Sequence, residues 1–172
     1  KLAGRLTFNP IKHLDAIGAL AFLLTRMIGW AKPVPVNPRY FRDPARGMML
    51  VALAGPAMNV ALAVGFALAI RLVEYAAMGV MPDSALYRVF EPLAYICAAG
   101  VQVNLALAAF NLLPIPPLDG SNVLAAFLPP DLADRYLSFG RWGFFALLLL
   151  AVTGLLGRLI LPVVSYFTRV LL

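Results

Sequence analysis

The sequence predicts a mainly α, polytopic transmembrane helical bundle, with a small β element near the amino terminus and a short apolar stretch poised to re-enter the membrane. Three observations point there. Of the 172 residues 62% are hydrophobic and 13% charged, with a mean hydropathy of +0.87, which is too apolar for a soluble domain of this length. Three runs, Gly47 to Ile70, Leu93 to Leu118 and Trp142 to about Val164, reach the roughly 20 apolar residues that a membrane crossing requires. Proline-rich breaks then separate the runs, at Trp30 to Pro38 and at Pro114 to Pro117.

Taken in order, Gly4 to Phe8 alternates polar and apolar residues and closes on Asn9-Pro10, the pattern of a short strand and a turn. It is either a surface hairpin or an edge that could add to an extended peptide. Residues 16 to 31 are too short for an ordinary crossing and carry Arg26, so they lie in the interface or dip in and return. In the block that follows, Trp30 and Lys32 are interface anchors and the prolines mark where the chain leaves the membrane; alternatively the block is a re-entrant loop bordering substrate entry. Arg158 interrupts the last apolar run, either snorkelling to a headgroup or ending the helix. Neither repeats nor a low-complexity linker divide the chain, so a single membrane domain is expected over residues 1 to 172.

Charge sets the expected topology. Residues 1 to 46 hold eight Lys or Arg against Asp15 and Asp43, a net of +6. The segment from Arg71 to Glu91 carries Arg71 and Arg88 against Glu74, Asp83 and Glu91, a net of −1. Positive charge marks the cytoplasmic side, which places residues 1 to 46 and the loop 119 to 141 inside and 71 to 91 outside a bacterial-type cell membrane. Basic flanks and anionic headgroups account for the overall +6, and no nucleic acid partner is expected. Nothing in the sequence sets an oligomeric state. The lone cysteine, Cys97, excludes an internal disulfide and reads as a small buried residue.

Two segments carry polar groups where membrane proteins rarely tolerate them. Between Leu93 and Leu118 there is no charge, and Asp119 follows at once. Such a carboxylate in or near lipid is costly and marks a functional site by default. Pro114, Pro116 and Pro117 deny the backbone its helical ladder just before it, so the chain there must be buried in protein or line a wet cavity. On the second segment, Gly55 and Asn59 share a helix face, with Pro56 freeing a carbonyl one turn earlier. That face serves helix packing or borders a site. His13, in a juxtamembrane turn, is a hydrogen-bonded or solvated side chain unless it meets a metal.

Gly-Arg-Leu-Thr-Phe-Asn-Pro at 4 to 10 with His13-Leu14-Asp15, Gly-Trp-Ala-Lys-Pro-Val-Pro-Val-Asn-Pro at 29 to 38, Ala-Leu-Ala-Gly-Pro-Ala-Met-Asn at 52 to 59, and Phe-Asn-Leu-Leu-Pro-Ile-Pro-Pro-Leu-Asp-Gly at 110 to 120 resemble the site-2 protease family of intramembrane zinc metalloproteases. The four blocks stand in that family's order, and the last is the most specific. Beyond about residue 130 the match is only to another apolar helix.

The resemblance implies a hydrolase that cuts membrane-spanning protein substrates near the cytoplasmic face. Its Zn2+ would be held by two His of an H-E-x-x-H helix and by Asp119, while Asn111 would steady the oxyanion of the tetrahedral intermediate. Gly55, Asn59, Pro114 and Gly120 would pack or contact substrate near the site. The expectation is chemically coherent, since catalytic zinc takes three protein ligands and an open position. This sequence lacks H-E-x-x-H, and His13 is its only histidine. The expectation is therefore that the chain begins inside a longer protein, with the missing ligands upstream of Lys1, and that the 172 residues alone are inactive. A non-catalytic pseudoprotease or scaffold is the alternative, and a small transporter, which would favour inverted repeats, is a further one.

Overall fold

The computed structural model describes residues 36–81 and 84–172, and packing sets Arg39–Leu172 apart as one unit. The expected amino-terminal strand, His13, the stretch 16 to 31 and most of the Trp30 block lie outside the described residues. Among the described residues are six α-helices and no strand. They are α1 (Pro44–Ala77), α2 (Tyr87–Asn111), α3 (Asp119–Ala125), α4 (Pro130–Ser138), α5 (Gly140–Val152) and α6 (Leu155–Leu171).

Both long helices are started by side chains that satisfy free amides. Asp43 accepts from the Arg46 amide at 3.1 Å and Pro44 occupies the first turn of α1, where its missing N–H costs nothing. Ser84 accepts from the Tyr87 amide at 3.2 Å at the start of α2. With 34 and 25 residues at 1.5 Å each, α1 and α2 run about 51 and about 38 Å, and both are long and apolar enough to cross a membrane. α1 encloses the first apolar run and α2 holds most of the second, but not with the expected limits. α2 starts earlier, at Tyr87, and stops at Asn111, so residues 112 to 118 leave the helix.

The two helices meet through small residues. Ala63, Ala67, Val101 and Leu105 are buried between them, joined by Val164 of α6. At Gly100 the Phe66 ring sits so near that a β-carbon would come within 2.6 Å of it. Between membrane helices the lipid offers an equally apolar alternative, so close backbone approach and dispersion, not hydrophobicity, hold such a contact. Asn104 satisfies itself by donating to the Gly100 carbonyl at 2.8 Å.

The third apolar run is not one helix. It is divided at Thr153 and Gly154, where Gly154 adopts φ +73°, a left-handed conformation that ends α5 and turns the chain into α6. The expected crossing from Trp142 to about Val164 is thereby corrected: α5 contributes 13 residues, and it joins α4 at a 58° bend. That bent pair is apolar enough to be a broken span or a re-entrant hairpin. Ile160, Val164 and Leu171 of α6 face the α1–α2 core, and the Arg71 guanidinium on α1 donates to the Leu171 carbonyl at 3.3 Å.

Candidate functional site

The polar block begins where α2 stops. Leu112 N–H still reaches the Ala108 carbonyl at 3.1 Å, and Leu113 N–H tightens to the Phe110 carbonyl at 3.1 Å. Pro114 then supplies no donor and the ladder ends. Ile115 bonds back to Leu113 at 2.8 Å and Leu118 to Ile115 at 2.9 Å, so the chain turns twice on its own hydrogen bonds, with Pro116–Pro117 cis between them. Ser121 closes the turn, donating from both its amide and its hydroxyl to the Leu118 carbonyl at 3.0 and 2.6 Å. These bonds give the unwound backbone internal partners, as burial near lipid demands.

Asp119, the first residue of α3, is half-buried against α1. A β-carbon at Gly55 would lie 3.2 Å from its Oδ2. The Ala-Leu-Ala-Gly-Pro-Ala-Met-Asn block and the Asp-Gly block, which only sequence order linked, thus meet in space. A small residue at position 55 leaves room for the carboxylate. Partial removal from water pushes the Asp119 carboxyl above its ordinary value. Its carboxylate has no ion-pair or hydrogen-bond partner among the described residues.

The other candidates fall around this contact. Asn111 is the last residue of α2, half-buried, with its amide making no hydrogen bond to a described residue. Asn59 stands one turn beyond Gly55 on α1, also half-buried. Gly120 is buried where a β-carbon would overlap the Leu112 carbonyl, so the start of α3 can press on the end of α2 only because position 120 has no side chain. Pro114 is exposed, and its carbonyl accepts from the Tyr136 hydroxyl at 2.7 Å.

Tyr136, Gly140 and Gly143 escaped the sequence reading. Their helices lie against the loop: a β-carbon at Gly143 would overlap the Pro116 carbonyl oxygen, and one at Gly140 would come 3.9 Å from Pro116 Cβ. Two glycines three apart on one helix face were the available signal for such a close approach.

Among the described residues no three His, Cys, Asp or Glu side chains converge on a point. The lone carboxylate of Asp119 is suited to one corner of a catalytic zinc site, but these residues do not by themselves fit the ion, which needs three protein ligands.

The chain is 38% identical over 166 residues to YwhC of Bacillus subtilis (strain 168), a match that covers 96% of this chain and 73% of that protein. It is 43% identical over 74 residues to MJ0611 of Methanocaldococcus jannaschii, covering 43% of this chain and 31% of that one. It is 28% identical over 172 residues to Rip2 of Mycolicibacterium smegmatis, covering 95% of this chain and 60% of that one. All three carry provisional names as zinc metalloproteases. No family model matches the chain, and no solved structure does.

Proposed function

The chain belongs to the site-2 protease family of zinc metalloproteases, and on that premise we propose that it is the part of an intramembrane endopeptidase that carries one metal ligand and the substrate-facing amide. Asp119 is the carboxylate ligand of a Zn2+ whose remaining ligands the 172 residues do not contain. When bound, that ion supplies a Lewis acid and an activated water. Asn111 donates its amide to the oxyanion that forms on the scissile carbonyl, where a fixed donor favours the developing charge. The substrate is a membrane-spanning protein, cut near the cytoplasmic face, with residues 1 to 46 on that side.

The observation that carries this reading is the contact of Asp119 with Gly55, which seats a carboxylate with no partner among the described residues against α1, a helix long and apolar enough for a membrane. A purely structural aspartate there would be expected to find a cation or a donor, because an unpaired charge near lipid is costly. A ligand waiting for a metal supplied by other residues has no such need.

The test is made in the full-length protein reconstituted with a membrane-spanning substrate. Asp119→Ala should abolish zinc retention and cleavage together. Asn111→Ala should keep the metal and slow cleavage by on the order of a hundredfold, the usual loss for one oxyanion donor. The roles assigned here fail if Asn111→Ala loses zinc while Asp119→Ala keeps it. A full-length protein that binds no zinc and cleaves nothing is a pseudoprotease or scaffold.

A further inference from the structure

The non-proline residues between Asn111 and Asp119 place their amides within the helix end and the loop, and two further carbonyls of the loop are covered by one pair of helices. The Pro114 carbonyl accepts from the Tyr136 hydroxyl of α4, 22 residues later in the chain, at 2.7 Å. The Pro116 carbonyl lies against the backbone of α5 at Gly143, with Gly140 one turn earlier against the Pro116 ring. Pro116 is itself buried. α4 and α5 therefore meet the loop at two points on either side of Ile115, and the 58° bend between them lets a single hairpin reach both.

The two ends of the loop are secured differently. Asp119 has a seat of its own, because α3 packs on α1 and the carboxylate lies against Gly55. Asn111 is the last residue of a helix, and the bonds that follow it, Leu112 to Ala108 and Leu113 to Phe110, are those that fray first. Holding the Pro114 carbonyl fixes the turn at the residue immediately after that final pair.

We propose that α4 and α5 act as a bracket on the loop, and that the Tyr136 hydroxyl is a positioning residue that fixes the Asn111 amide without touching substrate or metal. The inference rests on the oxyanion role of Asn111 given above. Tyr136 is partly exposed and its ring can stay in place without the hydroxyl, so Tyr136→Phe removes one hydrogen bond from an otherwise intact fold.

In the full-length protein, Tyr136→Phe should lower kcat roughly tenfold, the upper end for one hydrogen bond, with KM and zinc content unchanged and the melting temperature lowered by no more than a few degrees. In an Asn111→Ala background the same substitution should add less than about twofold, because two residues acting through one interaction are not additive. Losses that multiply, undiminished activity in Tyr136→Phe, or loss of zinc would each overturn the proposal. Should the wild-type protein cleave nothing, it is the proteolytic reading that fails. The bracket is then still decided by hydrogen exchange: Tyr136→Phe should speed exchange at the Leu112, Leu113 and Ile115 amides, and unchanged rates would remove it.

Discussion

Gly55 stands opposite the carboxylate of Asp119, and a β-carbon at position 55 would come to 3.2 Å from Oδ2. That spacing is tighter than ordinary van der Waals contact, yet the atom facing it is the free end of a side chain. An added carbon there would therefore displace the carboxylate more readily than it would unseat the helix.

Gly55→Ala should leave the melting temperature of the chain in detergent unchanged or raised, since alanine gains about 1 kcal/mol over glycine inside a helix. Zinc affinity in the full-length protein should nevertheless fall, and Gly55→Val should lower it further by displacing the carboxylate. Zinc titration beside a melting curve reads both. Equal zinc affinity in all three proteins would show that the carboxylate does not need this space.

Gly120→Ala and Gly143→Ala should behave in the opposite way. Here the added carbon meets backbone, the Leu112 and Pro116 carbonyls, and no rotamer change relieves it. Overpacking of this kind costs about 1–3 kcal/mol or more, and unfolding in detergent should record it for both variants. Gly65, with nothing within 4 Å of its missing β-carbon, provides the control: Gly65→Ala should not destabilise.

The purified 172-residue chain should retain no stoichiometric zinc after dialysis, because Asp119 alone is a poor ligand and the sequence offers one histidine. Metal analysis at one zinc per chain would reveal another ligand set.

Opposite ends of α1 should face opposite compartments. With the buried native Cys97 contributing little background, a cysteine at Ala85 should label from outside, and one at Arg42 only from the cytoplasm. Labelling of both from one side would refute a single crossing by α1.

Hydropathy located α1 and α2 because length and apolarity are summed over many residues and survive local error. The prolines at 114, 116 and 117 likewise announced an unwound segment, since a missing N–H acts wherever it occurs. What hydropathy could not resolve was the break at Thr153 and Gly154. An uncharged glycine and a threonine whose hydroxyl bonds back to Leu149 at 2.8 Å leave an apolar run looking continuous. Asp119 stood out by its charge, and Asn111 through its place in a motif. The juxtaposition of Asp119 with Gly55 depends on how α3 packs on α1, and neither residue's neighbours in sequence encode it. Tyr136 was invisible for the same reason: its partner is a backbone carbonyl, which every residue possesses.

The bond from Arg71 to the Leu171 carbonyl joins positions 100 residues apart, and this has a consequence for synthesis. At roughly 5–20 residues per second, Leu171 is made about 5–20 s after Arg71. For most of that interval α1 is complete while the Arg71 guanidinium waits without the carbonyl it will later cap. The arginine must spend this time hydrated or among headgroups, which holds the end of α1 at the membrane surface until α6 arrives. Nascent chains arrested before residue 155 should therefore expose position 71 to a water-soluble reagent.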